Sequence, residues 1–156
     1  MTNTDVIQPA IRNHSLPQTG SATTEARPLR SVGAVAGGLV AIFAVTTAVD
    51  AVLHATGVFP PFGAPPMSDA LFLLAFAYRV VIGVAGSGLT ARLAPRRPMR
   101  HALVLGGIGT LLSIAGGIAM WDASRAWYPI ALAVSAVPCA WLGARLFQSR
   151  RRALPT

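Results

Sequence analysis

The sequence predicts an all-α fold, an integral membrane four-helix bundle with both termini cytoplasmic. Two observations carry this. Four apolar runs, 31–58, 70–93, 102–121 and 127–147, each reach the ~20 residues that a helix needs to cross a bilayer. Eleven of the thirteen arginines then fall in segments that an even number of crossings places on one side. Positively charged loops resist translocation, so that side is the cytoplasm. The runs are continuously apolar and lack the alternation of barrel strands. Helices that bond their own backbone are therefore the arrangement the membrane allows.

Composition limits the function. With 156 residues, 53% of them hydrophobic and 12% charged, the chain has room for one bundle and none for a separate soluble catalytic domain. A net charge of +8 would suit nucleic acid, but these arginines flank apolar spans and form no basic stripe interleaved with aromatics. No nucleic-acid partner is expected; the partner implied is the lipid bilayer, with attraction to anionic head groups. Lysine is absent while alanine, glycine and arginine abound, a usage that fits a GC-rich bacterial genome. Cys139 is the single cysteine, so no intrachain disulfide forms.

Residues 1–30 are polar, with no apolar period, and read as a disordered cytoplasmic tail. Within them Leu16-Pro17-Gln18-Thr19-Gly20 resembles a sortase recognition pentapeptide, but a sorting signal is carboxyl-terminal and on the translocated side, so chance is the better reading. A signal peptide is not expected, because the first apolar run exceeds an h-region and the residues after it make a poor cleavage site. Arg12, Arg27 and Arg30 precede the first span. The loop 58–68 carries Pro60, Pro61, Pro65 and Pro66, which lack amide donors, and forms a stiff outer turn. Ser68 or Asp69 is placed to cap the second helix. Arg92, Arg96, Arg97 and Arg100 mark a short inner connection, which makes the second and third helices antiparallel neighbours.

Trp121, Trp127 and Tyr128 cluster at the second outer loop, where amphipathic rings prefer the head-group level. Arg125 is the lone arginine in an outer loop. Pro129 suits the first turn of the fourth helix, whereas Pro138 removes a bond to Val134 mid-span and predicts a kink. Trp141 is expected to pack against a neighbouring helix. Arg145, Arg150, Arg151 and Arg152 close the chain, the last three in a basic tail over 148–156. Small residues allow close helix approach at Gly33 and Gly37, Gly83 and Gly86, and Gly109, Ser113 and Gly117.

Two charges sit at membrane depth, where each costs ~2.5–3.5 kcal/mol on insertion scales unless it finds a partner or a wet cavity. Asp50 lies seven residues before Gly57 and Arg79 ten after Asp69. At ~1.5 Å per residue these are roughly 10 and 15 Å from the outer ends, so an Asp50–Arg79 ion pair across the first hairpin is predicted. Thr46, Asp50 and His54 share one face of the first helix, Arg79, Gly83, Gly86 and Thr90 one face of the second, and Tyr78 adds a hydroxyl. Thr46, Asp50, His54, Tyr78 and Arg79 therefore form the candidate intramembrane polar cluster. It reads either as a structural pair that fixes the hairpin or as a protonatable or solute-binding site.

Other sites are not expected. His54 and His101 lie near opposite faces, too far apart for a bis-histidine haem, and His14 belongs to the tail. No His, Cys or carboxylate group has metal-ligand spacing. Gly83-Val84-Ala85-Gly86-Ser87-Gly88 lies in an apolar run with no strand before it, so it is a packing face and no phosphate loop. No cofactor, metal or catalytic residue is assigned, and the chain reads as a non-enzyme.

The segments Gly57-Val58-Phe59-Pro60-Pro61, Met67-Ser68-Asp69-Ala70-Leu71-Phe72, Ala77-Tyr78-Arg79 and Thr90-Ala91-Arg92-Leu93-Ala94-Pro95 look like a family of small four-helix bacterial inner-membrane proteins. Pro98-Met99-Arg100-His101-Ala102-Leu103, Trp127-Tyr128-Pro129-Ile130-Ala131-Leu132 and Cys139-Ala140-Trp141-Leu142-Gly143 extend the likeness to about the last 120 residues. The resemblance implies the fold and location and adds no mechanism. The functional expectation is an accessory or structural membrane protein, acting as a homodimer or with another membrane partner. The alternative is a small dimeric solute or proton-coupled transporter using Asp50, His54 and Arg79. The charges fall in the first hairpin and not in the second, and this asymmetry counts against a self-contained inverted-repeat transporter.

Overall fold

The structure is a computed structural model that describes residues 22–61, 64, 65, 67–94 and 96–153. It contains α1 (Ala22–Ala55), α2 (Asp69–Leu93), α3 (Pro98–Ala119), a 3₁₀ turn at Trp121–Ala123 and α4 (Trp127–Ala153). Within these, Arg30–Ala55, Asp69–Leu93, Pro98–Ala119 and Trp127–Arg150 are long and apolar enough to span a membrane, with mean hydropathies of 2.1, 1.9, 1.9 and 1.7.

The helix limits differ from the sequence reading in physically informative ways. α1 begins at Ala22, so the last nine residues of the expected 1–30 tail are helical. Glu25, Ala26, Arg27 and Leu29 are good helix formers, and extending a helix already nucleated by the span costs far less than starting one. Residues 1–21, with the Leu16–Gly20 pentapeptide, Arg12 and His14, lie outside the described residues. α1 also ends earlier than expected, at Ala55. Gly57 adopts φ +73°, a left-handed turn that glycine takes without Cβ strain. Its amide donates to the His54 carbonyl at 3.1 Å, and the Phe59 amide closes the turn on the Leu53 carbonyl at 2.9 Å.

α3 starts at Pro98, where the missing amide is no loss, after Arg97 at φ 52°. Ser68 occupies the N-cap of α2 but makes no side-chain capping bond. The Ser68 carbonyl accepts from Leu71 and Phe72 instead. α4 continues through Pro138 and on to Ala153, taking in most of the expected basic tail. The prolines Pro60, Pro61 and Pro65 lie outside any helix, and Pro66 falls outside the described residues.

α2, α3 and α4 pack most closely, with α4 against both others, and α1 leans mainly on α2. Small side chains set this core: Ala75, Ala91, Ala102, Ala140 and Ala144 are buried, and among the described residues the largest side chain with no exposed surface is Thr90. Its hydroxyl donates to the Gly86 carbonyl at 3.1 Å, so burial leaves it satisfied.

Close approach is found at Gly86 and Gly117, where a Cβ would collide with Ile42 and Pro129, and also at three glycines that the spacing patterns passed over. A Cβ on Gly38 would lie 1.7 Å from Thr90 Oγ1, one on Gly143 2.2 Å from the Val84 carbonyl oxygen, and one on Gly106 2.7 Å from Ala140 Cβ. Gly33, by contrast, faces open space. Thr110 joins α3 to α4, its hydroxyl 3.1 Å from the Gly106 carbonyl and 3.2 Å from that of Ala133.

The outer surface is apolar. Phe43 and Ile118 are each 72% exposed, and Val81, Leu111 and Val134 are comparably bare. A small-residue interior beneath a large-residue exterior reverses the pattern of proteins surrounded by water and matches helix packing in lipid.

Candidate functional site

Asp50 lies just over one turn before the end of α1, and antiparallel packing brings it beside Tyr78 and Arg79 of α2. Arg79 Nη2 is 2.6 Å from Asp50 Oδ2, and the Tyr78 hydroxyl donates to Asp50 Oδ1. Arg79 Nη1 donates to Tyr78 Oη at 2.9 Å and to Tyr128 Oη at 2.7 Å. One guanidinium thus gathers side chains from α1, α2 and α4. Planar, multi-donor arginine suits such a hub better than lysine, whose ammonium is a point charge.

Tyr128 is the member that sequence reasoning missed. Its neighbours in the chain placed it in an aromatic belt, whereas the structure turns its hydroxyl onto Arg79 and sets its ring 5.0 Å from that of buried Phe72. Trp127 stays at the end of the bundle, donating from Nε1 to Asp69 at 3.1 Å, and Arg125 lies 3.5 Å from the same carboxylate. Asp69 therefore ties the start of α2 to the start of α4 in place of capping its own helix. Trp141 was expected to pack against a neighbouring helix, and the contact the structure shows is with Arg145. It is 44% exposed and lies beneath Arg145, whose guanidinium carbon is 4.6 Å from the ring centroid, so a residue on its own helix covers it.

His54 shares the side of Asp50, but its ring bonds the helix backbone. Nδ1 is 2.9 Å from the Asp50 carbonyl oxygen, and the ring stands edge-on to Phe59 at 5.4 Å. Thr46 is one turn before Asp50 on α1 and lines the same space.

That space is a cavity of about 770 Å³, bounded by one face of α1 and by α2, α3 and α4. Asp50, Arg79, His54 and Tyr128 stand at its polar end, beneath Phe59, Pro60 and Pro61 of the connecting loop. Its remaining walls are largely apolar, including Ile42, Leu105, Leu112 and Leu132, with the glycine face of α3 contributing Gly109, Gly116 and Gly117. Among the described residues no three His, Cys, Asp or Glu side chains are grouped to hold a metal ion.

The lengths and apolar composition of the four helices fit a multi-pass membrane protein. Comparison with protein-family models, with curated proteins and with solved structures gave no match.

Proposed function

We propose that the chain is a non-enzymatic integral protein of the bacterial inner membrane, with both termini cytoplasmic, in which Asp50, Tyr78, Arg79 and Tyr128 act as a structural clasp. The observation that carries this reading is the mutual engagement of the cluster. Both carboxylate oxygens of Asp50 and both terminal nitrogens of Arg79 are bonded within it. A charge needed for proton relay or solute exchange is better left partly uncommitted. Here each charge is held by the other, and the tyrosines fix the geometry. The clasp joins α1, the most loosely packed helix, to α2 and α4. The chain then serves as an accessory or structural component, as a homodimer or beside another membrane protein.

One observation favours the alternative of a dimeric solute or proton-coupled transporter: the cavity reaches Asp50, His54 and Arg79. A double-mutant cycle on the detergent-purified protein separates the two. For a clasp, Asp50→Asn and Arg79→Gln each cost about 3 kcal/mol, the lower end of values for buried pairs, because each leaves a charge without its partner. The double variant then recovers at least ~1 kcal/mol relative to the sum of the single losses. Single variants as stable as the wild type would overturn the clasp and direct attention to transport across a proton gradient.

A further inference from the structure

The cavity beside the clasp has features that a structural role leaves unused. The Tyr128 hydroxyl accepts from Arg79 and, among the described residues, makes no other hydrogen bond, so its own proton is unspent. An acceptor that takes a bond from a cation becomes a stronger donor itself. Ser124 supplies a second unspent group: its Oγ is buried with no hydrogen-bond partner. Both residues line the cavity, and a buried hydroxyl left without a partner, as at Ser124, is destabilising. Phe59 and Phe72 line the same end.

These observations specify a ligand. Asp50 and Arg79 cancel in charge, so an ionic head group would enter with no counter-charge. Two donors instead call for two neutral acceptors, and the flanking aromatic rings suit a planar head. The walls beyond are apolar, and a cavity of about 770 Å³ falls within the roughly 300–1,000 Å³ of small-molecule sites. Access comes from the lipid side. α1 and α3 touch little, and Phe43 and Leu112, one on each, both line the cavity and are themselves exposed.

We propose that the cavity binds a membrane-soluble quinone, its ring carbonyls accepting from Tyr128 and Ser124 and its apolar tail lying between α1 and α3. The inference holds whether the chain works as a structural component or as a transporter, since the two donors lie outside the Asp50–Arg79 pair.

The test is the ligand-induced rise in unfolding temperature of the full chain in detergent, with decyl-benzoquinone as probe. Dodecane serves as a tail without a head, and methyl laurate as a carbonyl lipid of another kind. The expected result is a rise with the quinone that exceeds both controls. Tyr128→Phe should need roughly tenfold more quinone for the same rise, as for a lost hydrogen bond polarised by a cation, and Ser124→Ala about threefold more. Leu112→Trp, which fills the apolar wall, should abolish the response. The Ser124 hydroxyl bonds no member of the clasp, so Ser124→Ala remains informative if Tyr128→Phe fails to fold. No rise with the quinone, an equal rise with methyl laurate, or an unchanged response in Ser124→Ala would each overturn the proposal.

Discussion

Tyr78 and Tyr128 look equivalent around Arg79, yet their loads differ. Tyr78 donates to Asp50 as well as accepting from Arg79, while Tyr128 only accepts. Removing the Tyr78 hydroxyl strips one oxygen of Asp50 of its donor and one nitrogen of Arg79 of an acceptor. Tyr78→Phe should therefore cost about 2–3 kcal/mol and Tyr128→Phe about 1 kcal/mol, read from unfolding in detergent. Equal losses would show that the donor to Asp50 contributes nothing. The exposed Asp69–Arg125 pair offers a contrast: its side chains keep 67% and 53% of their surface, and Asp69→Asn should change stability by less than ~1 kcal/mol. Asp50, Tyr78 and Arg79 were legible in the sequence because charge inside an apolar run has few innocent explanations. Tyr128 was not, since an aromatic residue beside Trp127 satisfies the interfacial preference equally well. Only the placement of the first turn of α4 against α2 shows where its hydroxyl goes.

At the level of the helices, apolar run length located all four elements but set their ends poorly. A run of hydropathy cannot register that Gly57 reverses the backbone or that Pro98 opens α3. Glycine spacing identified part of the close packing, since a Cβ on Gly86 would collide with Ile42 and one on Gly117 with Pro129, but not all of its register. Gly37 was legible, but the residue against Thr90 is Gly38, and neither Gly106 nor Gly143 belonged to the patterns read. Gly38→Ala should cost about 1–3 kcal/mol, because the new methyl collides with Thr90, and Thr90→Ala should recover part of that loss. Gly143→Ala meets backbone of α2, with the Gly88 amide nitrogen 2.9 Å from the built Cβ, so no side-chain change should rescue it. Gly33→Ala faces open space and should be neutral or stabilising by up to ~1 kcal/mol through helix propensity. Thermal unfolding of the three single variants and the Gly38–Thr90 pair gives the ranking; a Gly33→Ala loss as large as that of Gly38→Ala would contradict this packing.

Across the whole molecule, a close assembly of α2, α3 and α4 carries a more loosely packed α1, and the clasp joins that helix at one end while Gly38 seats it on Thr90 nearer the other. The cavity is the space this leaves. Periodicity could not foretell it, because a void depends on where four helices fail to meet and no single segment encodes that. Orientation rests on the arginines alone. Single cysteines at Arg96, Ser149, Ala64 and Ala126, in a Cys139→Ala background, test it most directly by labelling intact cells with a membrane-impermeant maleimide. With both termini cytoplasmic, positions 64 and 126 label from outside, and 96 and 149 label only after permeabilisation. Labelling of 96 or 149 in intact cells would contradict that orientation.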